Sequence, residues 1–100
     1  MNSDSDKFDL SKSECQKLLS SYLSDEEYIN QNNSLDNPLS LIHAISVVAR
    51  ARGMSKLARN TGISRDGLYK AFSRHGNPSF GTVVRVLSGL GYSLKICLKK

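Results

Sequence analysis

Gly62 is flanked at helical spacing by small and apolar residues on both sides: Leu57, Ala58 and Thr61 come before it, and Leu68, Ala71 and Phe72 come after. Each trio lies on one face of a short helix, because residues three or four apart share a side. Both faces can be buried together only if the chain reverses sharply between them. Gly62 takes the positive φ that such a reversal needs, Ile63 turns inward and Ser64 caps the second helix. Ala58 lets that helix cross the first closely, and Leu68 fills the wedge. The spacing therefore predicts two short helices joined by a tight turn over residues 54–74, a helix-turn-helix unit.

The flanking segments are also expected to be helical. Asn37-Pro38 is a cap followed by proline at the first helical position, where its missing N–H costs nothing. Leu41, Ile42, Ile45, Val48 and Ala49 recur behind it, and Gly53 provides a left-handed stop. A second Asn-Pro step, Asn77-Pro78, is read as opening a helix with an apolar stripe of Phe80, Val83, Val84, Val86, Leu87 and Leu90, stopped by Gly91. Upstream, Ser11/Glu14 and Ser24/Glu27 stand in capping-box spacing. The first predicts a helix over about 12–22, and the second a short helix with Tyr28 and Ile29 inward that fades in the amide-rich NQNNSLDN.

Residues 1–10 are polar and predicted to be disordered. At the other end Tyr92, Leu94, Ile96 and Leu98 alternate with Ser93, Lys95, Cys97 and Lys99, the two-residue period of a half-buried strand over 92–99. A single strand needs a partner. The N-terminal segment or the same strand of a second subunit would supply it, so these four residues are read as a dimer edge. The expected fold is all-α: a helical arm at 11–36, then a helix-turn-helix domain at 37–100 ending in the short strand.

With 100 residues and 39% hydrophobic composition, one modest core is expected. Charge is segregated along the chain. Residues 1–37 hold three lysines against eight acids, a net of −5, whereas residues 38–100 hold eleven Lys or Arg against Asp66 alone, a net of +10. A region this basic suits a polyanion, although the same charge would serve solubility, RNA or an acidic lipid surface.

What remains of 64–74 once the inner face is subtracted is polar and cationic: Ser64, Arg65, Asp66, Tyr69, Lys70, Ser73 and Arg74. In a helix-turn-helix this face meets base edges in the major groove. Arg65 is assigned to a guanine, and Asp66 either to a cytosine amine or to holding Arg65 in place. Ser55, Lys56, Asn77, Ser79 and Thr82 are assigned to backbone phosphates. A helical bundle with a solvated basic face would share much of this periodicity.

Other chemistry finds little support. No nucleophile–base pair, phosphate-cradling glycine loop or metal-ligand spacing is visible, so neither catalysis nor a cofactor is implied. Cys15 and Cys97 are far apart and are read as free thiols, with a bridge between them the less favoured reading. His43 and His75 are expected to pack or cap, and Asp25, Glu26 and Glu27 to be solvated. No apolar run reaches 18 residues and no cleavable leader is seen, so a cytoplasmic location is expected.

The stretch VARARGMSKLARNTGISRDGLYKAFSRHGNPSFGTVVRVLSGLGYSLKI closely resembles the probable addiction-module antidote proteins, HigA-like antitoxins of the Xre/lambda-repressor-like class; FDLSKSECQKLLSSYLSDEEYI resembles their upstream part loosely. The resemblance implies a lambda-repressor-like bundle in a small bacterial or phage protein, encoded beside a RelE/ParE-type toxin. Such a protein binds the toxin and represses its own operon. The acidic arm would suit a basic toxin. Two other readings stay open: a stand-alone prophage-type repressor without a toxin, and a protein-interaction module without nucleic acid.

Overall fold

The computed structural model describes residues 9–33 and 36–99. The disorder expected of residues 1–10 therefore falls, for 1–8, outside the described residues. Six helices and no strand are present among the described residues: α1 Lys12–Leu19, α2 Asp25–Gln31, α3 Pro38–Arg52, α4 Met54–Thr61, α5 Arg65–Ala71 and α6 Phe80–Gly89. The fold is all-helical. None of these helices is long and apolar enough to cross a membrane.

α3 is the axis of the molecule. It packs against α1, α2 and α4, while α4 in turn carries α5 and α6. The five-residue stripe expected of α3 understates its burial, because every residue from His43 to Ala49 is buried. Helices on more than one side leave its middle no solvent face, so His43 and Ser46 go inside with the apolar residues. One core cluster runs from Cys15, Tyr28 and Ile29 through α3 to Leu68, Phe72, Val86 and Leu87.

α1 starts with the predicted capping box: the Ser11 hydroxyl accepts from the Glu14 N–H at 3.2 Å, and the Glu14 carboxylate accepts from the Ser11 N–H at 2.9 Å. It ends at Leu19, three residues before the expected limit. The Ser20 and Ser21 hydroxyls donate back to the carbonyls of Lys17 and Leu18, which competes with helical continuation. The second box closes differently. Ser24 accepts from the Glu27 N–H, but the Glu27 carboxylate turns to the N–H of Leu23 at 2.7 Å. Asp25 is buried and ion-paired with Arg52, so the expected fan of three solvated acids holds only in part.

Other boundaries also differ from expectation. Asn37 makes no side-chain cap, although Pro38 does begin α3. Gly53 has a positive φ of 111° with ψ at 118°, which makes an open corner rather than a left-handed helical stop. α6 opens on Ser79, not on Asn77-Pro78: the Ser79 hydroxyl accepts from the Thr82 N–H at 3.1 Å. Phe80 is 75% exposed and Val84 38%, so the stripe that packs inward is Val83, Val86, Leu87 and Leu90. α6 meets α4 toward its C-terminal end, where Asn60 donates to the Gly89 carbonyl and Arg85 to the Thr61 carbonyl.

α6 closes as expected at Gly91, with the Gly91 N–H on the Ser88 carbonyl and the Tyr92 N–H on the Leu87 carbonyl at 2.8 Å. The strand predicted beyond it is absent. Tyr92 packs on the core, but Leu94, Ile96 and Leu98 are 50%, 97% and 93% exposed. The alternating pattern is real, yet a β-ladder needs a neighbouring backbone, and the described chain offers none to residues 93–99.

Candidate functional site

The turn between α4 and α5 follows from its sequence. Gly62 closes α4 in the left-handed conformation, φ 74° and ψ 9°, with its N–H on the Ala58 carbonyl at 2.9 Å. The Thr61 hydroxyl donates to the Leu57 carbonyl and accepts from the Ile63 N–H, which tightens the bend. Ser64 then caps α5 by accepting from the Gly67 N–H at 2.9 Å. Leu68 and Phe72 are buried and pin the helix to the core.

That leaves Ser64, Arg65, Asp66 and Lys70 exposed on α5 and its cap. Asp66 pairs with Lys70 one turn on at 3.1 Å, rather than with Arg65. With both side chains in water, the pair contributes little stability, about 0.3–0.5 kcal/mol. It does hold two chemically opposite groups side by side on the outer face. Tyr69 departs from the outward orientation expected of it. It is half-buried against the core, with the guanidinium of Arg50 5.4 Å and that of Arg65 5.6 Å from its ring centre. The ring thus supports Arg65 by cation–π attraction.

α5 is shorter than the sequence implies. It ends at Ala71, so Ser73 and Arg74 lie in the turn beyond it. The Ser73 hydroxyl bonds the Lys70 carbonyl at 2.9 Å, and the chain folds back so tightly that a side chain at Gly76 would overlap the carbonyls of Lys70 and Ala71. Ser73 is half-buried and Arg74 exposed.

Of the residues assigned to phosphates, Ser55 and Lys56 are exposed in the first turn of α4. Asn77 is exposed in the loop before α6. Ser79 and Thr82 are committed to each other, with hydroxyl oxygens 3.0 Å apart, as the cap of α6. Of the residues assigned to a dimer edge, Tyr92 packs on the core and Leu94, Ile96 and Leu98 are exposed beyond α6.

Sequence reasoning overlooked a cleft of about 400 Å³ where α1, the α3–α4 corner and α5 meet. Lys12, Arg50, Arg52, Lys56, Arg59 and Arg65 line it, and no carboxylate does so among the described residues. Positions 12, 50, 52 and 59 belong to three elements and share no sequence pattern, so only the packing of α1 across α3 brings them together. Arg50 also ties the segment before α1 down by donating to the Leu10 carbonyl at 3.0 Å, and Gln16 reaches the Ala51 carbonyl at 3.0 Å.

Elsewhere, burial pushes the Cys15 thiol up from its ordinary value, and both cysteines are free. No group of three metal-ligating side chains comes together among the described residues.

The family model described as "Probable addiction module antidote protein" matches residues 6–98 of the chain. An uncharacterized protein of Haemophilus influenzae is 45% identical over 69 residues, which cover 69% of this chain and 71% of that protein. No solved structure matches.

Proposed function

The chain belongs to the family of probable addiction-module antidote proteins, and from that membership we propose that it is the antitoxin of a type II toxin–antitoxin pair that also binds operator DNA. In this reading it is a HigA-like, Xre-type protein of the bacterial cytoplasm, without catalytic activity, that silences a RelE/ParE-type toxin. α4 and α5 act as a lambda-repressor-like helix-turn-helix, and occupancy of the operator represses the protein's own operon.

The observation that carries the DNA half is the outward face of α5. Arg65 and Asp66 stand in solvent in the first turn, and Lys70 in the last turn, of a helix whose other face is locked into the core by Leu68 and Phe72. A rigid helix with an N-terminal cationic tip suits the major groove, where arginine reads guanine and a carboxylate accepts from cytosine. Two copies would read two half-sites. The exposed Leu94, Ile96 and Leu98 give a homodimer an apolar surface to cover, and burying Ile96 and Leu98 would contribute about 1.5–3 kcal/mol each, Leu94 about half that.

The test is an electrophoretic shift with duplex taken from upstream of the chain's own reading frame, at two salt concentrations, beside a pull-down from the native host. Binding that weakens steeply with salt, together with capture of a small basic partner encoded next door, supports both halves. DNA binding without such a partner makes the protein a stand-alone repressor.

A further inference from the structure

We propose that the cleft between α1 and the α3–α4 corner seats a phosphate of the DNA backbone, so that Lys12 of the N-terminal arm belongs to the DNA-binding face. This rests on the DNA-binding reading above and deepens it, because the arm otherwise has only a partner protein to recognise.

Three features converge on the cleft. The first is charge. Six cationic side chains line about 400 Å³, and only Arg52 has a carboxylate partner among the described residues, the buried Asp25. Like charges gathered this closely repel one another, and an anion in their midst relieves that repulsion. The second is the start of α4. Met54, Ser55 and Lys56 form its first turn, all three line the cleft, and no side chain caps them. The N–H groups of a first helical turn lack acceptors within the helix and favour an anion ahead of them. The third is Arg50, whose Nε is shielded from water with no hydrogen-bond partner among the described residues. Such a donor invites an acceptor.

Position selects the anion. Arg65 and Tyr69 of α5 form one wall of the cleft, so it borders the face proposed to enter the major groove. A helix in that groove is flanked by the sugar–phosphate strands, and a cationic hollow beside its tip meets one of them. Lys12 stands over the corner from the opposite side. Its ammonium lies 3.7 Å from where a Gly53 side chain would begin. The arm's acids do not share this wall.

The experiment compares Lys12→Gln and Arg59→Gln with Lys17→Gln, an exposed lysine of the same arm that does not line the cleft. Affinity for the upstream duplex and for a scrambled duplex is measured between about 50 and 200 mM salt. Each lost phosphate contact should reduce the steepness of the log–log salt plot by about 0.9, so the gap between wild type and variant narrows about 3.5-fold over that range. The expected result is this change for Lys12→Gln and Arg59→Gln, equal on both duplexes, and none for Lys17→Gln. If the wild type binds DNA but all three variants keep its slope, or all three shift alike, the cleft assignment is overturned while the DNA reading stands. A wild type that binds neither duplex overturns both. Inorganic phosphate serves as a further probe: saturable binding of it, abolished by Lys12→Gln while the duplex slopes stay put, would make the cleft a free-anion site and also overturn the assignment.

Discussion

Replacing Gly62 with alanine tests whether the bend that presents α5 is as the structure has it. At φ 74° and ψ 9° the residue lies in the left-handed region. A Cβ there costs about 1–2 kcal/mol, offset by about 0.4–1 kcal/mol because alanine leaves the unfolded chain less freedom to lose. Sterics add nothing, since the new Cβ would sit 3.5 Å from the Arg85 guanidinium, an ordinary contact. The net expectation is a loss of about 1 kcal/mol, which lowers a urea midpoint by about 0.3–1 M. Asparagine, which tolerates this conformation better, should lose less. Gly89→Ala is the informative contrast. Its backbone is ordinary helix, but the added carbon would lie 2.7 Å from the Thr61 methyl and 3.0 Å from a Leu57 methyl. Overpacking α4 against α6 costs about 1–3 kcal/mol, against the small gain alanine normally brings to a helix. Urea titrations of the three variants suffice. A neutral or stabilising Gly62→Ala would mean that the left-handed turn is not held in solution, and the presentation of α5 would lose its basis.

Leu68→Ala, at a fully buried position on α5, should cost about 2–5 kcal/mol in the same titration, and a loss below about 1 kcal/mol would mean α5 is not packed as described. Ser64→Ala removes the α5 cap and should cost about 1 kcal/mol without any DNA present; an unchanged midpoint would leave Ser64 free for another role. Burial, with the neighbouring Tyr22 adding to it, pushes the Tyr28 hydroxyl from its ordinary value of 10 up to about 12. The unfolded chain therefore ionises first: this contribution is fully present below pH 10 and is lost as pH rises toward 12. Tyr28→Phe should flatten that part of the stability profile, and an unaltered alkaline decline would assign it elsewhere.

Much of this molecule obeys local rules that operate within a few residues. The Ser11 and Ser24 caps, the Pro38 start, the Gly62 turn and the Gly91 stop are each short-range chemistry, and each stands where the sequence indicates. The features that escape prediction depend on neighbours distant in the chain. Ser46 is buried because helices surround the middle of α3, which no stripe on one helix reveals, whereas the burial of His43 agrees with the packing role expected of it. Tyr69 packs inward against the core, where Arg50, nineteen positions earlier, lies 5.4 Å from its ring centre. The strand expected at 92–99 rests on a genuine alternation that a lone chain cannot satisfy. The cationic cleft is invisible in sequence because α1 lies in an acidic segment, while the single residue that matters there, Lys12, carries the opposite charge to a different surface.

The most direct measurement is the affinity of wild type and Arg65→Ala for the upstream duplex and its scrambled counterpart at one salt concentration. The wild type should prefer its own sequence, and Arg65→Ala should weaken that complex by about 1–3 kcal/mol more than it weakens the scrambled one. Lys56→Ala should weaken both alike. A wild type that holds the two duplexes equally, or loses the same on both when Arg65 is removed, would contradict the claim that the tip of α5 reads DNA.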